Sequence, residues 1–218
     1  MRAPKQESNF EKHPKGQAQL VLTRIIDLGT VYDERKKQDV HRIMLAYESE
    51  KRMTEGEYAG QPFLVIESFS FSMYLNSHLC ARVEAIRGEK FKDQHAADEY
   101  DLTDLLAAQC FANIGHSDDG KWTNIISIMP KPSSLPDLKP QTLIVWDFEA
   151  PNRQAFELLS EKMQNRLKEA KEWSGIGKGT AQPEKSPQRT TQAVSRQDSG
   201  PAPSGMEDMS SFDDSIPF

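Results

Sequence analysis

Alternation of apolar and polar side chains marks the clearest elements of the chain. From Ile66 onward, Phe69, Phe71 and Met73 fall on one side and Ser68, Ser70 and Ser72 on the other, the two-residue period of a strand. A strand is therefore expected over Pro62–Met73. Val40–Glu50 alternates in the same way, with Ile43, Leu45 and Tyr47 opposite Arg42, Met44 and Ala46. Gln17–Gly29 reads as a longer strand in which Leu20, Leu22, Ile26 and Leu28 share a face that Arg24 interrupts. Val21 and Ile25 make its other face partly apolar, as suits a strand that is covered on both sides, and Gly29 is a bulge or the start of a turn. The period changes to that of a helix over Leu75–Arg87, where Leu79, Val83 and Ile86 recur. Asn76 or Ser77 can cap its start, and Gly88 stands where a C-cap is expected. Leu105–Ile114 and Lys121–Met129 return to strand character around Asp119-Gly120, a strong hairpin signal. Phe91 and Tyr100 are expected to pin the acidic stretch Glu89–Asp104 to the body.

Three strands, one helix and two strands is the order of an OB-fold, a five-stranded Greek-key barrel with its helix after strand 3. The expected class is all-β with added helices, with the barrel over residues 16–130. A disordered N-terminus is expected over 1–15. A proline-rich linker with a short extra strand, Thr142–Phe148, fills 131–150. An amphipathic helix follows over 151–173, with Phe156, Leu159, Met163, Leu167 and Ala170 in one stripe and Arg166 in its middle. The stripe either docks on the barrel or pairs with the same helix of another copy in a homo-oligomer; Arg166 argues against a long dry coiled coil. Residues 174–206 are rich in Gly, Pro, Ser, Gln and Thr and read as a disordered tether. Residues 207–218 form an acidic tip.

Charge and chemistry narrow the function. The net charge of −6 opposes a nucleic-acid partner, and residues 15–130 alone hold 13 Lys and Arg against 18 Asp and Glu. Phosphate binding, however, depends on the local face rather than the sum. No run of apolar residues reaches the length of a spanning helix, and the N-terminal residues lack the apolar core of a secretory signal, so a cytoplasmic protein is expected. Cys80 and Cys110 lack metal or disulfide spacing and read as buried small hydrophobes. No phosphate-binding loop, nucleophile elbow or zinc motif is present. The expectation is a binding protein without catalytic residues, metal or cofactor. Asp118 and Asp119 could hold a metal in a nuclease, but a turn needs polar residues there in any case.

The candidate binding residues lie where a small barrel exposes loops. Tyr32, Lys36 and Lys37 fall in the polar stretch Thr30–Asp39, and Arg24 and Arg42 in the strands it joins. Lys121 and Trp122 follow the last hairpin turn. Aromatic rings can stack on bases while cations take phosphates. The alternatives are a solvated hairpin tip for the first group and a rim hydrophobe for Trp122.

The chain ends in Ser211–Phe218, SFDDSIPF. Asp213 and Asp214 precede Ile216, Pro217 and Phe218, a peptide suited to a pocket for the ring and a cation for the carboxylate. Asp-Asp-Ser-Ile-Pro-Phe resembles the C-terminal tip of bacterial single-stranded-DNA-binding proteins (SSB), which recruits replication and repair enzymes. LTRIIDLGT, PFLVIESFSFSM and LNSHLCARVEAIRG resemble phage-encoded SSB-like proteins, whose domain is an OB-fold. The resemblance implies sequence-tolerant binding of single-stranded DNA in phage-type replication and recombination, in a bacterial or phage-infected cytoplasm. It implies that Asp213, Asp214, Ile216, Pro217 and Phe218 bind replication, recombination and repair proteins. An adaptor that mimics the tip without binding DNA is the main alternative.

Overall fold

A computed structural model describes residues 11–34 and 36–176. It is mostly β: one antiparallel sheet with hydrogen-bonded order β3-β2-β1-β4-β5, plus a sixth strand beside β1, and a few short helices. The strands are β1 (Gly16–Asp33), β2 (Gln38–Arg52), β3 (Pro62–Ser70), β4 (Gln109–His116), β5 (Thr123–Pro130) and β6 (Ile144–Trp146). The helices used below are α1 (His78–Arg87), α2 (Gln94–Asp98), α3 (Arg153–Glu157), α4 (Glu161–Lys168) and α5 (Trp173–Ile176).

β1 organises the sheet because β2, β4 and β6 all pair with it. β2 runs antiparallel along one edge from Leu20 to Asp33. The other edge is shared: β4 pairs with Gly16–Val21, and β6 pairs in parallel with Arg24–Ile26. A bulge between Leu22 and Arg24 lets one strand serve two cores. Before it, Leu20 and Leu22 point into the first core; after it, Ile25 takes that side while Ile26 and Leu28 face a second core. The extra residue reverses the side-chain alternation. β2 follows suit, with Ile43, Leu45 and Tyr47 in the first core and Met44 and Ala46 in the second.

α1 closes the first core. Leu79, Cys80, Val83 and Ile86 are buried, and the helix touches both β3 and β5, the two ends of the strand path. Its limits are local chemistry. Ser77 accepts the Cys80 N–H, and Gly88 ends the helix in the left-handed conformation at φ 79°. A Cβ on Gly88 would stand 2.5 Å from Pro130 Cγ, so glycine is required for space as well as backbone angle. Phe91 and Tyr100 pack on this core, and Arg87 lies over both rings. Cys80 and Cys110 are buried free thiols, and burial pushes the Cys110 thiol up to about 12.

The second core lies under the chain's own C-terminal segment. Trp146, Ala155, Leu159 and Leu167 are buried against Ile26, Leu28, Met44 and Ala46, with Phe148, Phe156, Met163 and Trp173 around them. The amphipathic stripe therefore docks on the sheet. It is not one helix over 153–173: Ser160 breaks it, capping α4 through the Met163 N–H, and α3 ends at Glu157. Gly29, at φ 67° beside a second bulge, permits this docking, because a Cβ there would meet Ala170 Cβ at 2.6 Å.

Other boundaries also differ from expectation. The polar stretch Thr30–Asp39 is not all loop: Thr30–Asp33 pairs with Gln38–His41 and leaves a short hairpin tip. Glu11–Lys15, expected to be part of a disordered terminus, are held in place. Glu11 accepts the Thr54 and Glu55 N–H groups at 2.6 and 3.0 Å, and His13 is buried with its Nε2 2.8 Å from Ser49 Oγ. Ser174–Ile176, expected in the tether, instead belong to α5, and Ile176 packs against the second core; the rest of the tether and the acidic tip lie outside the described residues, as does Arg35.

Candidate nucleic-acid interface

The expected DNA-contact residues separate into two groups at opposite ends of β1. Gly16 pairs with Ile114 near the β4–β5 hairpin, while Asp33 pairs with Gln38 at the β1–β2 tip. Eighteen residues of strand separate them, roughly 55 Å if β1 ran straight.

At the β1–β2 end stand Tyr32, Lys36, Lys37 and Arg42. Tyr32 is 61% exposed, and both lysines are exposed. Lys37 takes a left-handed backbone conformation, φ 53°, which tightens the tip. Among the described residues neither Lys36 nor Lys37 makes an ion pair, which leaves two unpartnered cations beside an open aromatic ring. Arg42 is more engaged: its Nε donates to Ser68 Oγ at 3.3 Å, and its Nη1 lies 3.8 Å from Asp33. The C-terminal cover reaches this end. Glu172 accepts from Thr30 N–H and Oγ, the Lys171 N–H donates to the Thr30 carbonyl, and Lys171 Nζ pairs with Asp39.

At the other end stand Lys121 and Trp122. The turn before them is tied by Gly120 N–H to Ser117 O and Ser117 N–H to Trp122 O. Trp122 is 69% exposed, so its ring stands in solvent rather than filling the rim. Lys121 pairs with Asp119 at 3.4 Å, and Lys12 donates to the Gly120 carbonyl at 2.5 Å. Asp119 is committed to this turn: Ser117 Oγ and the Lys121 N–H hold its carboxyl below the usual carboxylate range. Among the described residues no group of three or more His, Cys, Asp or Glu is arranged to hold a metal ion, and no helix is long and apolar enough to cross a membrane.

Arg24 belongs to neither end and is not the open cation expected of it. The bulge turns it to the side of the second core, across from Ile144 of β6. Its Nε is sealed from solvent without a hydrogen-bond partner. Burial lowers its pKa while Glu48 opposes the shift.

The structure adds Arg166. It is exposed on α4, one residue from the buried Leu167 in the second core, and close enough to Arg42 for the two charges to interact. A lone arginine in an apolar stripe is the sequence signal that marks it. The tip residues Asp213, Asp214, Ile216, Pro217 and Phe218 lie outside the described residues. Comparison with protein-family models, with curated proteins and with solved structures found no match for this chain.

Proposed function

We propose that this chain binds single-stranded DNA without a reaction upon it, through an OB-type Greek-key barrel, in phage-type replication or recombination. The observation that carries the reading is that both hairpin ends hold an exposed aromatic ring, Tyr32 or Trp122, beside lysine. Rings of this kind stack on any base, and neighbouring cations neutralise the phosphates between stacked bases. The strand order β3-β2-β1-β4-β5, with a helix after β3 that touches both β3 and β5, supports the barrel. The acidic Ile-Pro-Phe tip supports recruitment of replication and repair proteins by analogy with SSB.

A second reading, an adaptor that carries the tip but binds no DNA, draws on two observations. Residues 15–130 are acidic in sum, and the outer face of β1 and β2 is already covered by β6, α3 and α4. A gel shift with oligo-dT, repeated with duplex and with magnesium, separates the readings. Retarded, intact oligo-dT with little shift of duplex supports the proposal. No shift supports the adaptor, and shortened oligonucleotide a nuclease. Deleting Phe218 tests the tip independently: the protein should lose host replication proteins in a pull-down while still shifting oligo-dT.

A further inference from the structure

Beyond Ile66, the outer face of β3 is polar and carries only small side chains beside Arg42. Ser68 and Ser70 are exposed and carry no bulky side chain, so a sugar-phosphate backbone can approach closely. Arg42 flanks them, opposite Ser70 in register and hydrogen-bonded to Ser68. Arg42 shares its face of β2 with Met44, which packs in the second core with Leu167 of α4. Arg166 adjoins Leu167, so docking of the C-terminal segment carries a second guanidinium to the side of the sheet where Arg42 stands.

Two like charges brought together in this way repel unless an anion lies between them. Among the described residues Arg166 makes no ion pair and donates no hydrogen bond. Its pKa is lowered by partial desolvation and next by the charge of Arg42, with Glu169 acting the other way. The carboxylate paired with Arg42, Asp33, stands at the outer limit of an ion pair, 3.8 Å. Arg42 is held by Ser68 through Nε and Nη2 and by Asp33 through Nη1, so the open capacity lies first with Arg166, and a guanidinium offers a planar fork of donors matched to phosphate oxygens.

We propose that Arg42, Arg166 and the Ser68–Ser70 surface form a phosphate seat for single-stranded nucleic acid, with the C-terminal cover a working part of the interface. The seat rests on the single-strand reading above. It continues from the cationic tip, because Lys171, just past the end of α4, is bonded to Thr30 and Asp39 beside that tip. Lys162, one helical turn before Arg166, extends it along α4.

The test is fluorescence anisotropy of labelled oligo-dT over a range of salt, with full-length wild type, Arg166→Gln, Arg166→Lys and, as a charge-matched control, Lys92→Gln on the exposed stretch between α1 and α2. Arg166→Gln should bind about threefold to tenfold more weakly at low salt, and its log–log salt slope should be shallower by about 0.7, the share of one phosphate contact. Arg166→Lys should keep the slope but lose part of the affinity, because an ammonium lacks the fork. Lys92→Gln should match wild type. Unchanged thermal midpoints would show that all variants are folded. Arg166→Gln with the wild-type slope and affinity overturns the seat alone. A wild type that does not bind oligo-dT overturns the single-strand reading and the seat with it.

Discussion

Replacing Leu167 by alanine should detach the cover before it unfolds the sheet. Leu167 has no exposed surface and lies in the second core with Trp146, Leu159, Met44 and Ala46. Losing the carbons beyond Cβ removes about 2.4 kcal/mol of transfer free energy, at ~0.8 per carbon. The cavity left behind adds to this, and core Leu→Ala changes span roughly 2–5 kcal/mol. α4 has eight residues and sits at the margin of the fold, so it can settle partly into the gap. About 3 kcal/mol is therefore expected. Such short helices do not persist without docking, so the loss is capped at the free energy that holds the segment down. Near-UV circular dichroism reports the event, because Trp146 and Trp173 stand 6.3 Å apart with planes 30° from parallel. In a urea titration of Leu167→Ala that aromatic signal should fade ahead of the far-UV signal of the strands. A loss below about 1 kcal/mol with both signals coincident would refute the view that the stripe seals a second core.

Three further outcomes follow from named contacts. Trp122→Ala should weaken oligo-dT binding by roughly 1–3 kcal/mol, the range for a base-stacking ring, while the thermal midpoint stays near that of wild type; the reverse pattern would make Trp122 a structural residue. Gly88→Ala should destabilise by at least about 1 kcal/mol in urea, because it combines a left-handed backbone with a 2.5 Å approach to Pro130; a neutral effect would contradict the α1–β5 contact. Burial lowers the His13 pKa from 6.5, against a raising contribution from the Pro14 carbonyl, so the folded state binds the proton less well than the unfolded chain. The stabilisation this gives is present above about pH 6.5 and is lost as pH falls from there toward the lowered folded value. His13→Gln should accordingly show a smaller drop in thermal midpoint between pH 7 and 5 than wild type, and an equal drop would contradict a buried neutral His13.

Local signals were the legible ones. Ser77 and Gly88 bound α1 because capping is decided within a few residues. The alternation of β2 assigned its two faces correctly, since an unbulged strand keeps its period through Met44–Tyr47. The same rule fails at Arg24, where the strand is bulged. An unbroken alternation puts Leu22, Arg24 and Ile26 on one face, whereas the bulge at Thr23 leaves Leu22 in the first core and turns Arg24 and Ile26 to the side of the second. Thr30–Asp33 reads as loop because it runs into the charged stretch Asp33–Asp39, yet a hairpin arm is held by backbone pairing with Gln38–His41. The stripe from Phe156 to Ala170 had the right face and the wrong continuity, since a new cap at Ser160 can restart a helix without disturbing the stripe. Arg166 was visible as an anomaly, but its neighbour Arg42 lies more than a hundred residues away in the chain and is met only through docking.

Sequence-tolerant binding of single strands is tested most directly by titrating full-length protein against labelled oligo-dT, oligo-dC and a duplex of equal length at several salt concentrations. With about 3–5 phosphate contacts, each contributing a log–log slope of about −0.7, affinity for both single strands should fall with salt at an overall slope of about −2 to −3.5, and duplex should bind far more weakly. A flat salt response, or duplex bound as tightly as oligo-dT, would contradict the account.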